Sequence, residues 1–272
     1  MINKPNWLGY NTSRVINKTL IYTLLIISSL MMVFPLFWLI STSLKSLQEI
    51  STFPPIWFPP KPLWENYIEA LTFQPFGLYA KNTIIIAVFY ILGNVFSATL
   101  VGYGFARLRF PGKNILFIIL LSTMMMPKIV TLIPLFLIFK NLGWINTYLP
   151  LTAPAFLGEA FFIFIMRQFF LTIPEEIVDA ARIDGASEFG IWWRIMLPLA
   201  RPAVIAIIIF AFQRTWNDVL SPLIYLTDPK KYTLSVGLIS FTAGTGTGVQ
   251  YWHWMMAASF TFILPIMVIF LI

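Results

Sequence analysis

From residue 20 to residue 40 the chain runs without a charged side chain, and five more apolar runs follow near residues 82–106, 115–139, 151–166, 203–226 and 254–272. About 20 residues at 1.5 Å each cross the roughly 30 Å hydrocarbon core of a bilayer. Backbone amides find no water there, so continuous apolar runs of this length must satisfy their hydrogen bonds internally, as helices. The pattern predicts an all-α membrane protein with six transmembrane helices. Composition points the same way: 58% of residues are hydrophobic and 11% charged, outside the range of soluble domains.

Residues 1–19 are polar and carry Lys4, Arg14 and Lys18. The apolar run that follows is too long for a signal-peptide core and has no small-residue cleavage site, so it reads as a retained span. The expected division is a cytoplasmic segment, 1–19, and one membrane domain, 20–272, with a large cytoplasmic loop at 170–202. With the N-terminus inside, ten of the 18 basic residues fall in cytoplasmic segments and six in outer loops. That asymmetry follows the positive-inside rule, so the net charge of +7 describes topology, not a nucleic-acid surface. Lys128 and Arg214 fall inside predicted spans. The sequence stops at Ile272 while still apolar, and a basic tail beyond it is expected.

The absence of cysteine excludes disulfides, thiolate catalysis and thiolate metal sites, and one histidine, His253, leaves little for a histidine-built metal centre. His253 sits between Trp252 and Trp254, which reads as an interfacial aromatic cluster. The outer segment 43–81 is rich in proline, but Leu63, Tyr67, Ile68 and Leu71 have one-face helical spacing and predict a short surface helix. Gly93 with Ser97, and Ala98 with Gly102, are small residues four apart that permit close helix packing.

The loop after the fourth run is the most informative segment. Thr172 and Glu175 match a capping box, Pro174 suits a first turn, and Glu175, Glu176 and Asp179 complement a helix N-terminus. Gly185 can end that helix in a left-handed conformation, Asp184 or Ser187 can cap a second, and Pro198 is expected to stop it. The apolar side chains Ile183, Phe189, Ile191, Trp192 and Ile195 then need cover, from the bilayer interface or from a partner protein.

The stretch Asp179-Ala180-Ala181-Arg182-Ile183-Asp184-Gly185-Ala186, followed by Leu197-Pro198 and Pro202, closely resembles the EAA loop of permease subunits in binding-protein-dependent ABC importers. Residues 102–113, Trp216-Asn217-Asp218 and residues 232–237 resemble the carbohydrate-uptake, maltose-type branch. The resemblance implies a type I ABC importer transmembrane domain in a prokaryotic cytoplasmic membrane. It also implies that Asp179, Ala180, Ala181, Asp184, Gly185, Ala186, Phe189, Leu197 and Pro198 couple the chain to an ATPase. The partners implied are a second homologous permease, in a heterodimer, two cytoplasmic ATP-binding subunits, an extracytoplasmic solute-binding protein, and membrane lipid. The family's leading glutamate is Asp179 here, one methylene shorter. The implied solute is a sugar or oligosaccharide, with a polyol phosphate also open.

No phosphate-binding loop occurs: Gly112-Lys113 is followed by Asn114, and Gly244 to Gly248 lacks the strand and helix such a loop joins. ATP and Mg are thus expected on partner subunits, with no cofactor, metal or nucleic acid on this chain. An integral-membrane enzyme or an ATP-independent carrier is the other class of reading. The first needs a reactive constellation that is not evident, and the second usually shows an internal repeat. Arg107, Arg109 and Lys113 read as ordinary topology residues.

Asn94, Lys128, Glu159, Arg214 and Asp218 fall near mid-depth of their predicted spans, where a charge facing hydrocarbon costs at least about 2.5 kcal/mol. They should therefore face the bundle interior, a subunit contact or water. Arg214 and Asp218, four apart, can pair along one helix face, and the mid-depth charges then read as a structural ion-pair network that fixes helix packing. Asn94, Glu159, Asn217 and Asp218 are the candidates for a polar solute path, because hydrogen bonds and aromatic faces hold a neutral sugar.

Overall fold

A computed structural model describes residues 7–243 and 251–271, and every regular element among them is helical. Four helical stretches are long and apolar enough to cross a membrane singly: Asn17–Ser43, Phe76–Arg107, Leu149–Thr172 and Trp252–Ile269. Two sharply bent helix pairs, residues 113–141 and 188–216, raise that number to six if each pair counts as one span. The Gly244 to Gly248 segment and the end of the chain at Ile272 lie outside the described residues.

The chain divides into two compact units, residues 1–73 with 241–261, and residues 74–240 with 262–272. In the first, α1 (Trp7–Ser43) begins well before the apolar run and carries Pro35 inside it. The described polar residues ahead of residue 20 belong to the same helix. Neither Gly nor Pro interrupts residues 10–34, so nothing there breaks helix propagation. Side chains such as Leu24, Leu30 and Met31 are exposed, as befits a lipid-facing span.

The short surface helix forms as α2 (Glu65–Phe73), but with a different buried face. Ile68 is exposed, whereas Asn66 and Ala70 are buried. Asn66 turns inward because its Nδ2 donates to Ser43 O at 2.8 Å and Lys45 O at 2.9 Å, satisfying carbonyls at the end of α1. Phe73 packs against Phe241, Tyr251 and Trp254, and His253 joins Tyr251 and Trp254 in the same aromatic group.

The second unit is organised around α3 (Phe76–Arg107), the longest helix in it. Helices α4 (Lys113–Thr123) and α5 (Lys128–Asn141) follow. They meet at 98°, so the third predicted span is broken. Pro127 causes the break: it lacks the N–H that would continue the ladder, and it sits in extended backbone at φ −61°, ψ 131°. The fourth span starts with a turn at Leu149–Thr152 and a 3-10 turn at Ala153–Leu157, then is interrupted at Gly158, φ 94°. Helix α6 (Ala160–Thr172) completes it.

Ridges of α3 meet α6 and the 3-10 turn closely. A Cβ on Gly102 would lie 2.8 Å from Met166 Cβ and one on Gly93 2.9 Å from Ala155 Cβ, distances only glycine permits. Between them, Ser97 Oγ lies 2.8 Å from both Gly93 O and Ala155 O and shares its one hydrogen between them. The small residues therefore serve internal packing, as their spacing predicts.

The loop yields α7 (Glu175–Ile183) and α8 (Glu188–Ile191). A π-helical turn, Trp192–Met196, and a last turn, Leu197–Leu199, extend α8. The chain then bends by 79° at Ala200 into α9 (Arg201–Trp216). Pro198 does not stop the second helix. The π turn just before it, in which Leu197 N–H reaches Trp192 O, changes the spacing of the ladder and makes room for a ring that an α-helix interior rejects. Helix α9 stops at Trp216, short of the predicted span end, and α10 (Leu220–Tyr225) follows a break. Helices α11 (Leu234–Ala243) and α12 (Trp252–Leu271) complete the described chain.

Candidate functional site

Two regions of the second unit carry polar chemistry, and α3 runs through both. The first is the helical loop. Thr172 does not cap α7: it is the last residue of α6, and its hydroxyl donates to Phe169 O at 2.7 Å. Pro174 occupies the cap position instead, with no side-chain bond. The C-terminal end matches the glycine reading. Gly185 has φ 79°, its N–H reaches Arg182 O at 3.0 Å, and Ala186 N–H reaches Ala181 O at 3.0 Å. Those paired bonds are a Schellman motif. Of the two cap candidates Ser187 serves, its Oγ accepting from Gly190 N–H at 3.2 Å.

The apolar residues of the loop separate into two sets. Ile191 and Trp192 are buried in the chain's own core with Met196, so they need no outside cover. Ile183 (86%), Phe189 (63%) and Trp193 (56%) stay exposed. Of the sequence candidates, Ala181 is buried and Leu197 half-buried, while Asp179, Ala180, Asp184, Gly185, Ala186, Phe189 and Pro198 are exposed around the turn.

An ionic network ties this loop to α3. Asp179 Oδ1 pairs with Arg182 Nη1 at 3.0 Å, and Arg182 Nε pairs with Glu188 Oε1 at 2.8 Å. The second oxygen of Glu188 accepts from the Tyr103 hydroxyl at 2.5 Å. The Arg182 hydrogen bond holds the Glu188 carboxyl below its ordinary pKa, and the same bond raises that of Arg182. At the start of the loop the buried Arg107 guanidinium donates to Phe170 O at 2.6 Å and to Ile173 O. Arg107 is thus more than a topology residue, since it satisfies carbonyls at the α6 terminus. Arg109 pairs with Glu175 at 3.5 Å in an exposed contact worth little.

The second region is a cavity of about 600 Å³, lined by Tyr90, Lys128, Glu159, Arg214 and Asp218 with apolar and aromatic walls including Phe139 and Tyr225. That volume suits a small-molecule ligand. Glu159 occupies the extended residue just before α6, where the Gly158 break leaves its side chain free of the helix. Its carboxylate pairs with Arg214 and accepts from the Tyr90 hydroxyl at 2.8 Å. The expected Arg214 to Asp218 pair does not form. Helix α9 has ended by then, and Asp218 Oδ1 accepts from Ser221 N–H at 3.1 Å to open α10. Lys128 is the first residue of α5, at the Pro127 break, and not inside a continuous span.

Two sequence candidates lie outside the lining. Asn94 is fully buried, its Nδ2 donating to Tyr90 O at 2.9 Å. Asn217 is exposed, its Nδ2 returning to Gln213 O at 2.8 Å. Sequence reasoning missed Tyr90, Tyr103, Arg182 and Glu188. Arg182 and Glu188 straddle one tight turn and were accessible as an oppositely charged pair, but Tyr90 and Tyr103 are joined to their partners only by the fold.

A ligand-sized cavity with charged groups in its lining, and a folded, apolar-tipped loop tied to the helix that runs past that cavity, are the parts a membrane transport subunit needs. The chain belongs to the binding-protein-dependent transport system inner membrane component family, whose model matches residues 98–272. It is 35% identical over 89% of its length, and 86% of the relative's, to the arabinooligosaccharides transport system permease protein AraQ of Bacillus subtilis. It is 31% identical to the diacetylchitobiose uptake system permease protein NgcG of Streptomyces coelicolor, over 92% of this chain and 82% of that one. It is also 31% identical to the sn-glycerol-3-phosphate transport system permease protein UgpE of Yersinia enterocolitica, over 92% and 91% respectively. Its structure is similar to a chain of a bacterial ABC transporter involved in the import of the acidic polysaccharide alginate, with TM-score 0.80, 25% identity and 95% of each chain covered. The helical fold, with four to six candidate spans, is that of an ABC importer permease.

Proposed function

We propose that this permease conducts a sugar or oligosaccharide inward, driven by separate ATPase subunits that engage the loop at Ile183, Phe189 and Trp193. The observation that carries this reading is the exposure of those three large apolar side chains on a helix pair fixed by a Schellman turn, a serine cap and an ionic network. A preorganised apolar patch favours binding because little ordering cost remains. Asp179 and Gly185 lie on the same exposed edge, where they shape the docking turn. ATP and Mg reside on the partner subunits.

The proposed topology puts the N-terminus and this loop on the cytoplasmic side of the inner membrane, with an extracytoplasmic binding protein delivering solute. A second, homologous permease completes the path. Within this chain Glu159 and Asp218 are the path residues, each in the cavity lining with Tyr90 and Tyr225. Two cations and two anions line the cavity, a balance suited to a neutral, hydroxyl-rich solute held by hydrogen bonds and aromatic faces. The names of the arabinooligosaccharide and diacetylchitobiose relatives support that solute class.

The test is to purify the chain with its neighbouring gene products, reconstitute the complex, and measure ATP hydrolysis and uptake with a panel of oligosaccharides and sn-glycerol-3-phosphate. Co-purification of an ATPase and stimulation by a neutral oligosaccharide support the proposal. Stimulation by the phosphate ester alone reassigns the solute, and a chain that transports without an ATPase overturns the mechanism.

A further inference from the structure

We propose that Glu188 is a positioning residue that grips α3 through Tyr103, so that movement of the loop reaches the cavity along one rigid helix. The proposal rests on the ATPase-coupled reading above and adds the route by which force leaves the loop.

Glu188 opens α8, and an acidic residue there would ordinarily be a solvated partner of the helix dipole. Here the cap is already supplied by Ser187, and both oxygens of Glu188 are committed elsewhere. One holds Arg182 across the Gly185 turn at 2.8 Å; the other holds the Tyr103 hydroxyl at 2.5 Å. Tyr103 is 3% exposed, and its ring meets Phe170 edge-on at 6.1 Å. It therefore has little freedom to follow the carboxylate without moving α3.

The other end of α7 is bound to the same helix. Arg107, one turn beyond Tyr103, donates to Ile173 O just before α7 begins. Helix α7 is thus flanked on both sides by attachments to α3. Tyr90, which holds Glu159 in the cavity, stands on that helix about 20 Å from Tyr103 at 1.5 Å per residue. No proline or helix break lies between them, and Gly93, Ser97 and Gly102 lock the interval against the fourth span.

The experiment uses the assembled complex in proteoliposomes and reads ATP hydrolysed, solute imported, and their ratio, for Tyr103→Phe, Glu188→Ala, Glu188→Gln and the Tyr103→Phe/Glu188→Ala double variant. The expected result for Tyr103→Phe, which leaves the Arg182 to Glu188 pair in place, is normal assembly and ATP hydrolysis with about tenfold less solute per ATP, the factor corresponding to about 1.4 kcal/mol; Glu188→Ala lowers the ratio at least as far and also weakens ATPase engagement, because Arg182 loses its partner. Glu188→Gln, able to keep one of the two bonds, recovers part of the ratio, and the double variant is no worse than either single. If Glu188→Ala fails to assemble, Tyr103→Phe, which removes one hydroxyl, decides alone. A parental ratio in Tyr103→Phe, or single effects that multiply in the double variant, overturns the proposal while leaving the ATPase-coupled reading intact. A parental chain that binds no ATPase overturns both.

Discussion

Arg214 on α9 pairs with Glu159, the residue that precedes α6, and both line the cavity. Arg214 would have met Asp218 had α9 continued another turn, but the helix ends at Trp216 and Asp218 accepts from Ser221 N–H at the start of α10. A charge pair thus joins two spans instead of decorating one.

That pair predicts a non-additive response. Glu159→Gln and Arg214→Gln each leave a half-buried charge without its partner, whereas the double variant leaves none. The two should couple by about 0.5 to 3 kcal/mol, the double being more stable than the sum of the singles. Thermal unfolding of the complex in detergent measures the coupling, and solute affinity measured beside it separates a path role from a packing role. Additive losses would show that the two charges act independently.

The Gly185 turn has φ 79°, and no heavy atom lies within 4 Å of where a Cβ would stand. Gly185→Val therefore strains the backbone without a clash, at a cost of about 1 to 3 kcal/mol. Insertion into the membrane should survive, and transport together with ATPase stimulation should fall. Wild-type rates in reconstituted vesicles would sink the role assigned to this turn.

Gly102 predicts a packing failure of a different kind. A Cβ there meets Met166 Cβ at 2.8 Å and Arg167 N at 3.1 Å, so Gly102→Leu must separate α3 from α6. Overpacking of this sort costs about 1 to 3 kcal/mol. The expected readout is a lowered melting temperature, with Gly104→Leu, open on its outer side, as the tolerated control.

Orientation can be read from single thiols, because the chain has no cysteine. An impermeant reagent outside intact cells should label Ser51→Cys and spare Ser187→Cys. The opposite pattern would reverse the proposed topology and place the loop away from any cytoplasmic ATPase.

The apolar runs, the glycine that ends α7 and the small residues of α3 were legible because each rests on local chemistry: segment length against bilayer thickness, positive φ, and the absence of a side chain where helices touch. The helix-turn-helix form around Gly185 was legible for the same reason, as one short contiguous motif. Hydropathy alone placed the spans but not the breaks within them. A Pro127 kink and a Gly158 interruption leave the average of a window apolar while redirecting the helix by up to a right angle. Those breaks, in turn, decided which charges meet. The i to i+4 rule that paired Arg214 with Asp218 holds only while the helix continues, and tertiary packing supplied Glu159 instead. The same holds for Tyr103 and Glu188, 85 positions apart. Their hydrogen bond exists because α3 runs beside the loop, an adjacency that depends on the packing of both helices against the rest of the bundle and not on either segment alone.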